Sequence, residues 1–194
     1  MSFDPVWEQI HLNRPWGQYP SEQVVRWVAK NFYSHPERWR LKFLDIGCGA
    51  GANSWYLRRE GFTCVGIDGS PSAVKRAGPG AIVGDVINLP FPDSEFDCVI
   101  DVACICHNNL QDAKRIVLEA HRVLKKGGRI FSIMPTQDCA RKPYDGKGKV
   151  IFLDEQEAAL LFHPEFETEI NWTGFSEGSY NVYHWLISGI RIGD

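Results

Sequence analysis

Short apolar runs and segments of helical periodicity alternate along most of this chain. Five apolar runs, centred on residues 43–46, 62–67, 81–83, 98–103 and 129–134, lie between polar or periodic segments. Continuous apolar runs bounded by turn residues are typical of strands that are buried on both faces. Strands that alternate with helices predict a mostly parallel sheet with helices on both sides.

Three segments carry the clearest helical pattern. Apolar residues recur at helical spacing over residues 22–32 and 112–124, and residues 154–162 begin with acidic side chains, as helix N-termini often do. Beyond them, the runs at 166–172 and 180–192 predict two final strands, joined through Gly174, Glu177 and Gly178. The lysine and glycine pairs at 125–128 predict the C-terminal end of the second helix.

The most informative local pattern follows the first predicted strand. Residues 41–57 read L-K-F-L-D-I-G-C-G-A-G-A-N-S-W-Y-L, so Gly47, Gly49 and Gly51 stand between a strand and a helix. Such a loop lets backbone N–H groups and a helix N-terminus face a ligand closely. Gly47, Gly49 and Ala52 also satisfy the loose dinucleotide fingerprint, so the loop alone admits a nicotinamide or flavin nucleotide.

Three passages, in the right order, resemble the class I S-adenosylmethionine-dependent methyltransferases. Asp45 and the three glycines fit the motif D/E-x-G-x-G-x-G of that family. The run L-P-F-P-D-S-E-F-D at 89–97 is similar to the family's passage into the fourth strand. The run H-R-V-L-K-K-G-G-R-I-F at 121–131 is similar to its R-V-L-K-P-G-G-x-L passage.

The resemblance implies a Rossmann-like methyltransferase fold. This is a three-layer, doubly wound α/β sandwich whose mostly parallel seven-stranded sheet has an antiparallel last strand. We expect one domain over residues 1–194. Within it, an N-terminal arm and helix (1–40) would cover the site, residues 41–135 would form the cofactor-binding core, and residues 136–194 would supply a lid loop and the C-terminal strands.

The resemblance also implies S-adenosylmethionine as methyl donor and S-adenosylhomocysteine as product. Asp68 ends the second predicted strand about twenty residues after the glycine loop, where an acidic residue accepts ribose hydroxyls. Its setting, Asp-Gly-Ser-Pro, also reads as a turn. Asp45 would face the ammonium group, and Asp85 with Val86 the adenine end. The expected cofactor residues are Asp45, Gly47, Cys48, Gly49, Gly51, Asp68, Gly69, Asp85, Val86 and Ala103.

Residues after the fourth strand should line the acceptor end of the pocket, because ligands of such sheets lie beyond the strands' carboxyl ends. His107 is a candidate general base, since imidazole titrates near neutral pH. It could instead sit at the rim or cap the next helix. Trp16, Tyr19 and Asn108 are candidate substrate or lid residues. A base at this place favours methylation of a hydroxyl oxygen. Two alternatives to a methyltransferase are a Rossmann-type NAD(P)-dependent oxidoreductase and a non-catalytic partner subunit that binds S-adenosylmethionine.

The composition and net charge limit the classes of partner that the chain is expected to bind. The chain has 194 residues and a net charge of −3, which gives no global field for nucleic acid or an anionic membrane. No apolar run has membrane-spanning length, and no signal peptide is recognised. We therefore expect a small-molecule substrate, a cytoplasmic location, and a monomer or homodimer.

The cysteines do not suggest a metal or disulfide framework. The six cysteines form no C-x-x-C pair, and most lie in or beside apolar runs. Buried reduced thiols in a cytosolic protein are the favoured interpretation. Cys104, Cys106 and His107 are too closely spaced to span a tetrahedral site, so no metal is expected.

Overall fold

The computed structural model describes residues 3–14, 17–140, 145, 148–177 and 180–193. They contain one seven-stranded sheet with the strand order β3-β2-β1-β4-β5-β7-β6. The strands are β1 (Lys42–Ile46), β2 (Thr63–Asp68), β3 (Ala81–Val83), β4 (Phe96–Val102), β5 (Leu124–Pro135), β6 (Phe166–Glu177) and β7 (Tyr180–Arg191).

The sheet is parallel except at one position. Strands β1 to β5 pair in parallel, and β7 lies antiparallel between β5 and β6. The predicted seven-stranded, mostly parallel sheet with an antiparallel last strand is therefore confirmed. Strand order reverses between β1 and β4, and a crevice for ligands is expected at the carboxyl ends of these two strands.

Helices cover both faces of the sheet. They are α1 (Val6–Asn13), α2 (Glu22–Phe32), α3 (Ala52–Arg59), α4 (Pro71–Ala77), α5 (Leu110–Val123) and α6 (Glu155–Phe162), with 3₁₀ turns at Arg38–Arg40 and Ile105–His107. One apolar core joins α2 and α3 to the sheet, and a second joins α5 and α6 to its other face. The predicted core side of α5 is buried as expected.

Two element boundaries differ from the sequence prediction. Helix α5 ends at Val123, and residues 124–128 already belong to β5. Gly127 has φ 71°, and the pairing of β4 with β5 shifts register between Phe96 and Cys98. This irregularity accommodates the lysine and glycine pairs within the strand, so they do not end the helix.

The second difference is the length of the C-terminal hairpin. Strand β6 continues to Glu177 and contains Gly174, which we predicted to lie in the joining segment. The two strands pair continuously from Phe166–Arg191 to Glu177–Tyr180. Backbone pairing with β7 extends β6 beyond the residues that we expected to form the turn.

Within the described residues, none of the helices has both the length and the apolar character that a membrane span requires.

Candidate functional site

A cavity of about 360 Å³ lies at the crevice where the strand order reverses. Its wall combines the glycine loop after β1, the ends of β2 and β4, the segment after β3, the N-terminal arm and the β6–β7 hairpin. The lining residues are Phe3, Asp4, Trp7, His11, Gly47, Gly49, Asp68, Gly69, Gly84, Asp85, Val86, Val102, Ala103, Cys104, His107, Asn108, Phe175, Val182 and His184.

The glycine loop is shaped by what a side chain would meet. Gly47 has φ 61°, and a Cβ there would lie 2.6 Å from Cys104 Sγ. Gly49 has φ 53°, and its N–H donates to Asp68 Oδ2 at 2.9 Å. Because these residues are glycines, the segment after β4 can approach the glycine loop closely, and the backbone of the loop lies beside the cavity.

Asp68 presents a nearly buried carboxylate at the end of β2. Its side chain is 8% exposed, and Oδ1 accepts a hydrogen bond from the N–H of Ser70 at 2.8 Å. Burial raises the pKa of Asp68, while the N–H groups of Ser70 and Gly49 oppose that rise. The carboxylate is therefore held in place from both sides and lines the cavity.

Asp101, which the sequence did not single out, organises the turn after β4. It is fully buried and accepts hydrogen bonds from the N–H groups of Cys104 at 2.8 Å and Ile105 at 3.1 Å. Ser132 Oγ donates to its other oxygen at 2.5 Å. Burial raises the pKa of Asp101 to about 6. The turn after β4 is itself tight, since Ala103 has φ 61°.

This turn carries His107 and Asn108 into the cavity wall. His107 Nδ1 lies 3.2 Å from the carbonyl oxygen of Lys149, and the imidazole meets the Trp7 ring edge-on at 4.6 Å. A carbonyl only accepts, so in the neutral ring Nδ1 carries the proton and Nε2 carries the lone pair. Asn108 Nδ2 donates to the carbonyl of Cys104 at 2.9 Å.

The N-terminal arm forms one side of the cavity. The Phe3 ring lies against Gly69 and leaves no room for a Cβ there. His11 is 3% exposed and lies beside Gly49, where its Cε1 would be 3.6 Å from an added Cβ. Burial lowers the pKa of His11, although the nearby Asp68 carboxylate opposes this. A neutral imidazole therefore packs on the glycine loop.

The β6–β7 hairpin supplies a further part of the cavity wall. Phe175 and Val182 are paired across the two strands, and the rings of Phe175 and His184 lie 6.3 Å apart. Burial lowers the pKa of His184, which favours its neutral form at neutral pH. This side of the cavity is apolar with one neutral imidazole.

Nine of the fourteen predicted site residues line the cavity. They are Gly47, Gly49, Asp68, Gly69, Asp85, Val86, Ala103, His107 and Asn108. Two further residues of the glycine loop are not among the lining residues. Cys48 is buried, and Gly51 packs against Ala77. Tyr19 is 84% exposed and is not among the lining residues, and Trp16 lies outside the described part of the chain.

Asp45, which we expected to help organise the ammonium end of the donor, is not among the residues that line the cavity. It is 1% exposed, and Ser54 Oγ donates to its Oδ2 at 2.6 Å. The bond joins the end of β1 to α3 across the glycine loop. Asp45 thus stabilises the glycine loop by linking the two elements that flank it. Burial raises the pKa of Asp45 to about 7.

We expect Asp45 to make the stability of the fold pH-dependent. Its pKa is raised in the folded state, so between about pH 4 and pH 7 the folded chain holds a proton that the unfolded chain releases. Stability must therefore fall as pH rises through this window, by about 4 kcal/mol from this group. Urea unfolding of wild type and Asp45→Asn at several pH values measures the difference between them.

The Asp45→Asn curve should lack this contribution, because an amide does not titrate. The other titrating groups are common to both proteins, and Asp93→Asn provides a control on an exposed carboxylate. Parallel curves for wild type and Asp45→Asn would contradict the prediction.

Sequence reasoning missed the arm and hairpin residues of the cavity. It expected the aromatic arm to contribute, but chose Trp16 and Tyr19 in place of Trp7 and His11. The signal was present, since Trp7 and His11 stand four residues apart and share one face of a helix. Phe175, Val182 and His184 had no local signal, because strand pairing alone brings them to the site.

The cysteines of the chain are free, and two of them lie in the turn after β4. Burial raises the pKa of these two, Cys104 and Cys106, well above its usual range. Both thiols stay protonated near neutral pH. Within the described ranges, no group of three or more His, Cys, Asp or Glu side chains is arranged to hold a metal ion.

Comparison with known proteins finds methyltransferases that are similar to the core of the chain. Residues 44–132 match the family model described as a methyltransferase domain. The matched stretch includes the glycine loop, the predicted ribose and adenine residues, and the turn that bears His107. It excludes the N-terminal arm and the β6–β7 hairpin.

Curated relatives share this core. Norajmaline N-methyltransferase of Rauvolfia serpentina is 36% identical over 112 residues, which cover 52% of this chain and 38% of the relative. Chloroplastic tocopherol O-methyltransferase of Arabidopsis thaliana is 36% identical over 104 residues, covering 47% of this chain and 29% of the relative. The match thus spans less than half of the length of these relatives.

A solved structure shares most of the fold. A 1,6-didemethyltoxoflavin-N1-methyltransferase of Burkholderia thailandensis, with bound 1,6-didemethyltoxoflavin and S-adenosylhomocysteine, has a TM-score of 0.67 to this chain. The sequences are 17% identical, and the match covers 88% of this chain and 79% of that chain. At this identity the likeness concerns the fold.

Proposed function

We propose that the protein is an S-adenosylmethionine-dependent methyltransferase, because residues 44–132 match the family model described as a methyltransferase domain and curated methyltransferases share this stretch. It transfers the methyl group of S-adenosylmethionine to a small-molecule acceptor. The observation that carries the proposal is that the glycine loop, Asp68 and the Asp85–Val86 pair all line one cavity.

The residues present fit this donor. S-adenosylmethionine carries a sulfonium and an ammonium group, and the cavity lining holds three carboxylates, Asp4, Asp68 and Asp85. Opposite charges attract more strongly in a partly enclosed site than in water. Gly47 and Gly49 leave their side of the cavity without Cβ atoms, which gives room for the methionine part.

We assign each end of the donor to its own residues. Asp68 accepts the ribose hydroxyls, for which a carboxylate is a strong and directional acceptor. Asp85 and Val86 meet the adenine end, with a polar and an apolar contact respectively. The assignments agree with the position of Asp68 at the end of β2 and of Asp85 and Val86 after β3, at the carboxyl edge of the sheet.

When bound, S-adenosylmethionine supplies a sulfonium methyl group that a nucleophile can displace in line. The chain's own contribution is alignment, proton removal and exclusion of water. His107 Nε2 accepts the proton of an acceptor hydroxyl, while the Lys149 carbonyl holds Nδ1. Trp7 and Phe175 add apolar surface to the cavity lining.

The acceptor we propose is a small molecule methylated on oxygen. Support for a small molecule comes from the partly enclosed cavity and from relatives that are named for norajmaline and tocopherol. Support for oxygen comes from His107, because a hydroxyl needs a base where a thiolate or carboxylate does not.

The six free thiols agree with a reducing compartment, and we propose the cytoplasm as the location of the protein.

Calorimetric titration with S-adenosylhomocysteine tests the donor assignment, with NAD and NADP as comparison ligands. We expect binding of S-adenosylhomocysteine alone, and a loss of at least tenfold in affinity for Asp68→Asn. A tenfold loss is about 1.4 kcal/mol, a modest value for weakening a charge-assisted hydrogen bond. NAD binding in its place would overturn the proposal.

Two controls complete this test. Asp93→Asn removes the same charge from an exposed carboxylate before β4, away from the cavity, and should bind as wild type does. Thermal unfolding of both variants checks that the fold is retained. Turnover of labelled donor with a panel of small hydroxyl, amine and thiol acceptors then separates an enzyme from a non-catalytic partner subunit.

A further inference from the structure

Glu8, on the N-terminal arm, is hydrogen-bonded to the loop that presents Asp68. Ser72 Oγ donates to Glu8 Oε1 at 2.6 Å, and the N–H of Ser72 donates to Oε2 at 3.2 Å. Ser70 Oγ also donates to Oε2. These hydrogen bonds lower the pKa of Glu8, so it is ionised at neutral pH. One carboxylate thus accepts three hydrogen bonds from two serines.

Ser70 connects this carboxylate to the predicted ribose site. Ser70 is fully buried, and its N–H donates to Asp68 Oδ1 at 2.8 Å. Its hydroxyl also accepts a hydrogen bond from the N–H of Ala73 at 3.1 Å. Asp68 in turn accepts the N–H of Gly49. A continuous set of hydrogen bonds therefore runs from the arm through Asp68 to the glycine loop.

The arm touches the same loops at further points. Phe3 lies on Gly69, and His11 lies beside Gly49. At its far end, Arg76 Nη1 donates to the carbonyl of Arg14 at 2.6 Å. Glu8 itself is not among the cavity-lining residues, although Trp7 and His11, its helix neighbours, are. Its effect on a ligand must therefore be indirect.

We propose that Glu8 is a positioning residue of the donor site. It holds Ser70 and Ser72, fixes Asp68 through Ser70, and keeps α1 across the cavity. The same hydrogen bonds thereby fix the position of the arm and the orientation of the ribose carboxylate. The inference rests on the proposed function, since it assigns Asp68 to the donor's ribose.

Glu8→Gln tests this directly. The amide keeps the size of the side chain but replaces an acceptor oxygen and the charge with an N–H₂ donor, so it cannot accept all three hydrogen bonds. We expect the Kd for S-adenosylhomocysteine to rise about tenfold. Glu22→Gln makes the same change on the exposed side of α2, where Glu22 pairs with the exposed Arg26, and should leave the Kd unchanged.

A double-mutant cycle distinguishes positioning from a merely structural role. If Glu8 acts through Asp68, then Glu8→Gln in an Asp68→Asn background should weaken binding by less than twofold further. If the two residues act independently, the losses multiply. Multiplying losses, or a Glu8→Gln Kd within twofold of wild type, would overturn the proposal.

Hydrogen exchange of the ligand-free protein gives a second readout. Amide protection in α1 and in residues 68–72 should fall together in Glu8→Gln, and stay at the wild-type level in Glu22→Gln. Loss in α1 alone would contradict the link to Asp68. A wild-type protein that fails to bind S-adenosylhomocysteine would overturn the proposed function as well, whereas the Glu8 outcomes affect only this inference.

Discussion

Replacing His107 with asparagine is expected to lower kcat for a hydroxyl acceptor by about 10²- to 10⁴-fold, the usual contribution of a general base. Asparagine retains a donor near the position of Nδ1, which can still bond the Lys149 carbonyl, but it has nothing in place of Nε2. The turn should therefore keep its shape while the proton acceptor is lost. Steady-state kinetics with labelled donor and a phenolic or alcoholic acceptor from the panel measure the effect.

The chemistry of the acceptor supplies an internal control. A thiol that is already ionised at the assay pH needs no base, so its methylation by His107→Asn should stay within a few-fold of wild type. His35→Asn alters an exposed histidine and should change neither rate. Affinity for S-adenosylhomocysteine should also be unchanged. A hydroxyl acceptor that is methylated equally fast by both proteins would remove His107 from the mechanism.

The sequence predicts the central part of the fold and site because its signals are local there. A buried strand, a glycine loop and a helix follow one another directly, so the positions of Gly47 and Gly49 are determined within a few residues of chain, and Asp68 ends the next buried strand. The amphipathic pattern of α5 is equally local. All these features depend on backbone sterics and periodicity, which a sequence displays directly.

The remaining part of the site depends on contacts between distant segments. His184 reaches the cavity because β7 inserts beside β5, and Trp7 because α1 packs against α4 next to the glycine loop. Asp45 shows the converse, since a carboxylate in the right motif position turns away to bond Ser54. Sequence spacing gives the element that bears a residue but not the direction of its side chain.

Gly47→Ala is expected to lower the free energy of unfolding by about 2–5 kcal/mol. A φ of 61° costs an alanine about 1–2 kcal/mol, and forcing extra volume into a packed site costs about 1–3 kcal/mol more. The added methyl group would meet Cys104, whose Sγ would lie 2.6 Å away and whose Cβ is also in the way. Urea unfolding measures the loss, and S-adenosylhomocysteine affinity should fall with it because the loop must shift.

Gly61→Ala separates the two causes of this loss. Gly61 has φ 90°, but a Cβ there has open space around it, so only the conformational cost applies. If steric contact with the turn after β4 matters, Gly47→Ala must be the more damaging change, and Cys104→Gly should restore part of its stability. Equal losses at both glycines would mean that the turn yields freely. The close approach between the glycine loop and the turn that bears His107 would then not fix the geometry of the site.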